Sequence, residues 1–189
     1  MLTAGIVDWG TSNLEAVKNL LRKSGYDPAI ATPNSTFDYD LIVMPGVGEY
    51  QNAMTYLEAN GYHHPLVSAI KNNIPTLGIC LGFQILGNFS QESPGIRGLG
   101  VLDSECARIR TGGILGWRPL NCYLEDFFFH NHIYGFYEVE DDFYTVKDND
   151  GFVSLAIKDF LVGLQFHPEK SQTAGVKLLN KIKSEVWKH

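Results

Sequence analysis

The stretch that most restricts how this chain can fold is Thr76-Leu77-Gly78-Ile79-Cys80-Leu81-Gly82-Phe83-Gln84-Ile85-Leu86. Thr76 to Ile79 reads as a short buried strand, and Leu81, Ile85 and Leu86 recur at helical spacing, so the chain has to turn sharply at Cys80. In Gly78-x-Cys80-x-Gly82 the small neighbours permit a strained backbone that lifts one reactive side chain above the end of a sheet, the thiol form of a nucleophile elbow. The same position is a helix N-terminus, where unpaired N–H groups and the helix dipole favour thiolate over thiol. A lone free cysteine is usually a small buried hydrophobe. The flanking glycines and the switch from strand to helix turn the reading towards a nucleophile.

Around this elbow the N-terminal half alternates strands with helices. Gly5 to Asp8 reads as a strand, and Asn13 is placed to cap a helix whose apolar face is Leu14, Val17, Leu20 and Leu21 and which Gly25 ends. Strands near Pro28 to Ala31 and at Leu41 to Met44, helices at Tyr50 to Ala59 and Pro65 to Asn72, and the Thr76 strand complete the series, with His63-His64 read as a loop. Such alternation predicts an α/β fold with a doubly wound, mostly parallel sheet flanked by helices. Functional residues of these sheets gather beyond the carboxyl ends of the strands, where Asp8-Trp9-Gly10, Pro45 to Gly48 and Cys80 all fall. From Gly98 onward the texture is β-rich: Gly100 to Leu102, Phe127 to His130, Tyr144 to Val146, Val153 to Ile157 and Phe160 to Phe166 read as antiparallel and mixed strands covering one side. A last helix is expected over about Ala174 to Val186.

A nucleophilic thiol needs a base, and a base needs an orienting group. Both stand in Gly163-Leu164-Gln165-Phe166-His167-Pro168-Glu169-Lys170. If Pro168 keeps this segment extended, His167 and Glu169 point to one side. The elbow cysteine followed by His-Pro-Glu, with Met44-Pro45-Gly46-Val47-Gly48 after an apolar strand, resembles the class I, triad-type glutamine amidotransferase family. Ile6-Val7-Asp8-Trp9-Gly10-Thr11-Ser12-Asn13-Leu14 looks like the opening of the branch whose glutaminase subunits serve a (β/α)8 cyclase that makes imidazole glycerol phosphate in histidine biosynthesis.

The resemblance covers nearly the whole chain and implies a flavodoxin-like core with an added β-rich second half. It implies L-glutamine as substrate, with Cys80 as nucleophile, His167 as base and then acid, and Glu169 orienting the imidazole. The Leu81 N–H with that of Val47 or Gly48 would form the oxyanion hole. Gln84, Glu92, Asn131 and His132 would contact glutamine. Asn13, Trp117 and Lys170 would face the cyclase subunit in a heterodimer. The scheme calls for no cofactor and no metal. The chain departs from the usual pattern at Gly113-Ile114-Leu115-Gly116-Trp117-Arg118, which keeps only the Gly-Trp pair, and at Trp9, Thr11-Ser12 and His132. These lie on the docking side, so a paralogue supplying ammonia to a sugar amidotransferase of surface polysaccharide synthesis stays open as the acceptor system.

Bulk properties fit this reading. A chain of 189 residues suits one domain that buries roughly 70% of its unfolded surface. A net charge of -6 provides no basic surface for nucleic acid. No apolar run approaches the ~20 residues of a membrane span, and the N-terminus lacks the pattern of a signal peptide, which predicts a cytoplasmic protein. Cys80, Cys106 and Cys122 have neither an even count nor metal-type spacing, as expected in a reducing compartment, with the latter two structural. The run Glu138 to Asp142 reads as a solvated turn.

Overall fold

A computed structural model describes residues 1–10, 13–33, 37–121 and 123–188. Cys122 and the Thr11-Ser12 pair therefore lie outside the described residues. In chain order the strands are β1 (Leu2–Ile6), β2 (Tyr26–Ile30), β3 (Leu41–Met44), β4 (Thr76–Ile79), β5 (Phe89–Ser90), β6 (Glu105–Arg108), β7 (Ile114–Pro119), β8 (Phe127–His132), β9 (Tyr134–Gly135), β10 (Tyr144–Lys147), β11 (Val153–Lys158) and β12 (Leu161–Leu164). The helices are α1 (Leu14–Lys23), α2 (Tyr50–Ala59), α3 (His63–Lys71), α4 (Leu81–Gln84) and α5 (Gln172–Ile182).

Seven strands form one sheet in the order β10-β11-β12-β4-β3-β1-β2. The run from β12 to β2 is parallel, and β10 and β11 extend it antiparallel at one edge. The alternation of strand side chains divides the core into two layers. Leu41, Val43, Leu77 and Ile79 face α1 and α5, whose Val17, Leu20, Leu21, Leu178, Leu179 and Ile182 pack with them. Ile42 and Met44 face the opposite way, onto α2 and α3 through Ala53, Met54, Leu57, Leu66 and Ile70.

The α/β class and its mostly parallel sheet are as the sequence suggested, while several details differ. The β-rich half does not simply cover one side: β10 to β12 join the main sheet, and β12 lies beside β4 at its centre. Gly100 to Leu102 form no strand. His63 and His64 open α3 rather than a loop, because Leu66 and Ile70 bury one face of that helix. Asn13 precedes α1 without a side-chain capping bond, while Gly25, at φ +86°, follows its end as expected. The last helix continues past Ile182 as a π turn over Lys183–Trp187, anchored by the Trp187 indole N–H donating to the Phe160 carbonyl.

Candidate active site

Cys80 sits where β4 meets α4, with φ +46° and ψ −102°, a conformation L-residues avoid. Its neighbours show why they are glycines. A Cβ on Gly82 would lie 2.0 Å from the Met44 carbonyl oxygen, and one on Gly78 would lie 2.9 Å from that of Gly82. Gly78 is in register with Gly163 of β12, whose own added Cβ would fall 2.2 Å from the Phe83 ring. Two facing glycines thus let Phe83 drop onto the sheet and hold a helix of a single turn.

The parallel pairing of β4 with β12 also explains how residues 87 positions apart meet. Both strands end at the same edge, and the Cys80 N–H donates to the Leu164 carbonyl at 2.6 Å. Beyond β12 the chain carries His167 back over this edge. The His-Pro-Glu segment is not extended: Pro168–Lys170 form a 3₁₀ turn. Proline suits the first position of such a turn, since its fixed φ is helical and it has no N–H to leave unpaired. The turn still brings the pair together, with His167 Nδ1 2.8 Å from Glu169 Oε1. Glu169 Oε2 finds no donor among the described residues, so the carboxylate's interaction is concentrated on the imidazole. Ser171 fastens the segment to β8, its hydroxyl donating to the His167 carbonyl and accepting from the Phe129 N–H.

The imidazole of His167 and the Cys80 sulfur line the same cleft. Burial alone would lower the imidazole pKa, but the Cys80 sulfur and the Glu169 carboxylate outweigh burial and raise it to about 10. The arrangement therefore favours a protonated imidazole at neutral pH.

A cleft of about 290 Å³ opens over the sulfur, near the lower end of the ~300–1,000 Å³ typical of ligand sites and suited to an amino-acid-sized molecule. Cys80, His167, Val47, Gly48, Leu81, Gln84, Glu92, Asn131, His132 and Lys170 all line it. Glu169 stands behind His167. Asn13 is exposed, and neither it nor Trp117 lines the cleft. The Leu81 N–H opens α4, where first-turn N–H groups have no partner within the helix. On the opposite wall the Trp9 indole N–H donates to the Val47 carbonyl at 2.9 Å. The peptide is planar and trans, so the Gly48 N–H points away from that indole. Burial raises the Glu92 carboxyl above its ordinary pKa, against the lowering effect of the Tyr50 N–H at the start of α2.

Three groups were not singled out from the sequence: Ile133 and Tyr134, which line the cleft, and Gln165, buried beneath it against the Cys80 sulfur. For Gln165 a signal existed, because it lies two residues before His167 and strand periodicity puts such positions on one side. His130 and His132 form a buried pair, with His130 Nδ1 3.3 Å from His132 Nε2. Burial pushes His130 down to about 3, helped by His132, and His132 down to about 4 despite its bond to the Tyr134 carbonyl.

Both rings are neutral when folded and titrate near 6.5 when unfolded, so the unfolded chain binds more protons between those values. The share of stability that depends on this pair should then be fully present above about pH 6.5 and decline as pH falls towards 4. A His130→Phe variant, placed against Phe152 and Phe166, should lose roughly half of that decline, one proton of two. Melting temperatures of both proteins at steps from pH 7 to 4 measure it.

An α/β sheet whose central strands bring a thiol, an imidazole and a carboxylate to one crevice has the parts that a cysteine-nucleophile enzyme needs. The chain belongs to the class-I glutamine amidotransferase family, whose profile matches residues 5–183. It is similar to the imidazole glycerol phosphate synthase subunit HisH of Thermus thermophilus, with 32% identity over 94% of this chain and 95% of that one. The HisH proteins of Desulfitobacterium hafniense, at 35% identity over 93% and 90% of the two chains, and Methanothermobacter thermautotrophicus, at 36% over 92% and 94%, are similar as well. Among solved structures, a glutamine amidotransferase superposes with a TM-score of 0.79 at 14% identity, covering 95% of this chain and 97% of its own. PurLQS from Thermotoga maritima superposes with a TM-score of 0.71 at 21% identity, covering 95% of this chain and 96% of its own. These two show a shared fold.

Proposed function

We propose that this chain, as a single domain, is the glutaminase subunit of an imidazole glycerol phosphate synthase, hydrolysing L-glutamine and passing the ammonia to a (β/α)8 cyclase partner. The observation that carries the reading is the meeting of Cys80 with the His167–Glu169 pair at one crevice, in a chain of this family. The Cys80 thiolate attacks the side-chain amide carbon of glutamine, and the resulting oxyanion is met by the N–H groups of Leu81 and of Val47 or Gly48. His167 gives its proton to the departing nitrogen, ammonia leaves, and a glutamyl thioester remains. Water then loses a proton to His167 as it attacks the thioester, releasing glutamate and restoring the thiolate–imidazolium pair. Glu169 holds the imidazole in the tautomer that both transfers need. Glu92 suits the substrate ammonium, whose charge would offset the cost of its burial.

Ammonia released into neutral water is protonated and stops being a nucleophile, so the product has to be handed over under cover. A surface fit for a cover lies beside the cleft. On the outer face of the β7–β8 hairpin Leu115 is 78%, Phe127 57% and Trp117 50% exposed. Trp117 meets the Phe129 ring edge-on, and Lys170 lies over the same ring from the rim of the cleft. An apolar patch of this kind marks an interaction site. The thiol chemistry requires a reducing compartment, which we take to be the cytoplasm.

Glutamate release measured with and without a (β/α)8 cyclase and its nucleotide substrate tests the proposal. Low turnover alone and a marked rise in the complex are expected, and full turnover in the isolated chain would refute the coupling. Trp117→Asp should weaken the association by roughly 30-fold or more, in line with the ~2 kcal/mol of an aromatic hot spot, while glutamine hydrolysis by the isolated chain stays unchanged.

A further inference from the structure

The Tyr134 carbonyl fixes the polarity of a chain of buried polar groups that ends on the nucleophile. A carbonyl oxygen only accepts, so both groups that meet it must donate. These are His132 Nδ1, at 3.1 Å, and Gln84 Nε2, at 2.8 Å. With its proton on Nδ1, neutral His132 has a lone pair on Nε2, and His130 Nδ1 is the donor to it. With its amino group facing Tyr134, Gln84 turns the same nitrogen to Gln165 Oε1 at 3.3 Å. The remaining end of Gln165 is then its amino group, and Nε2 stands 3.5 Å from the Cys80 sulfur. Gln165 is wholly buried, 0% exposed, and its own N–H is tied to the Ser154 carbonyl.

We infer that Gln165 is a catalytic residue that donates an N–H to the Cys80 thiolate, aimed there by Gln84 and the Tyr134 carbonyl. The inference rests on the glutaminase reading above and extends it to a group that reading leaves out. A hydrogen bond to the ionised form of a group favours that form. A neutral amide suits the position, since it steadies the sulfur without a titratable proton of its own, and the two neutral histidines likewise add dipoles and no charge. Proton traffic then stays with His167. The same bond sets the direction of the sulfur, which matters because the thiol can otherwise turn towards the Asn131 carbonyl, 4.0 Å away.

The test uses Gln165→Met, which keeps the length and loses the donor, and Gln165→Glu, which when ionised keeps the shape and the acceptor for Gln84 and loses the donor. Alkylation of Cys80 by iodoacetamide is followed from pH 5 to 10 in the full chain, with the Cys80 peptide read by mass spectrometry so that Cys106 does not contribute. The pH of half-maximal alkylation should rise by about one to two units in both variants, the size expected for loss of one hydrogen bond to a charged group. Glutamine turnover at pH 7 should fall by roughly ten-fold or more. An unchanged alkylation midpoint in Gln165→Met overturns the inference whatever turnover does, as does a shift confined to Gln165→Glu, which would belong to the added charge. If the methionine variant fails to fold, an unchanged midpoint in the glutamate variant decides against it. Alkylation requires no glutamine, so a chain that lacks glutaminase activity refutes the proposed function independently of this result.

Discussion

Cys80→Ala should abolish glutamine hydrolysis, by roughly 10⁴-fold or more, while leaving the fold and the affinity for glutamine nearly intact. The size of the loss follows from the division of labour at the cleft. In the proposed mechanism His167 moves the protons, Glu169 orients it, and the N–H groups of Leu81 and of Val47 or Gly48 meet the oxyanion, but with no sulfur there is no thioester for them to serve. Stability should change by about 1 kcal/mol or less, because one sulfur atom at the edge of an open cleft is removed and alanine tolerates the φ of +46° no worse than cysteine. Glutamate release, circular dichroism and calorimetric titration with glutamine separate the outcomes. Near-normal turnover in a well-folded variant would remove Cys80 from the mechanism.

Gly82→Ala should do the reverse and damage the structure first. The added methyl would stand 2.0 Å from the Met44 carbonyl oxygen, a contact with backbone on both sides and no flexible side chain to yield. Either α4 lifts off the sheet, taking Phe83 from its seat over Gly163, or β3 bends away from β4. The cost should be at least about 3 kcal/mol, a fall of roughly 6–12 °C in melting temperature for a chain of this size. Activity should fall with it, because the strained Cys80 backbone is held by that same packing. A variant as stable and active as the parent would show that the close approach of β3 and α4 is not needed.

The parts of this architecture that could be read from sequence are those fixed by local chemistry. The apolar run Leu41 to Met44 has few options other than a buried strand, and Cys80 between two glycines has few options other than a tight strand-to-helix turn. What escaped the reading depends on distant contacts. The apolar spacing of Leu81, Ile85 and Leu86 suggested a longer helix, yet α4 stops at Gln84. Pro168 is as compatible with a helical first turn as with extended chain, and only the meeting with β8 through Ser171 selects the turn. Likewise the place of β12 in the sheet, and with it the approach of Gln165 to Cys80, follows from Gly163 pairing with a glycine 85 residues earlier, which no local pattern announces.

Strand β8 places Phe127, Phe129 and Asn131 on one side and Phe128, His130 and His132 on the other. The first set faces outward beside Trp117, and the second is buried among the aromatic rings under the cleft. On the proposed docking face, changes at Phe127 and Phe129 would retune partner identity and leave Phe128, His130 and His132 as they are, which lets one catalytic body acquire new allies by point changes. The same economy makes the strand brittle to length: one inserted residue would exchange the two sets and forfeit recognition and catalysis together.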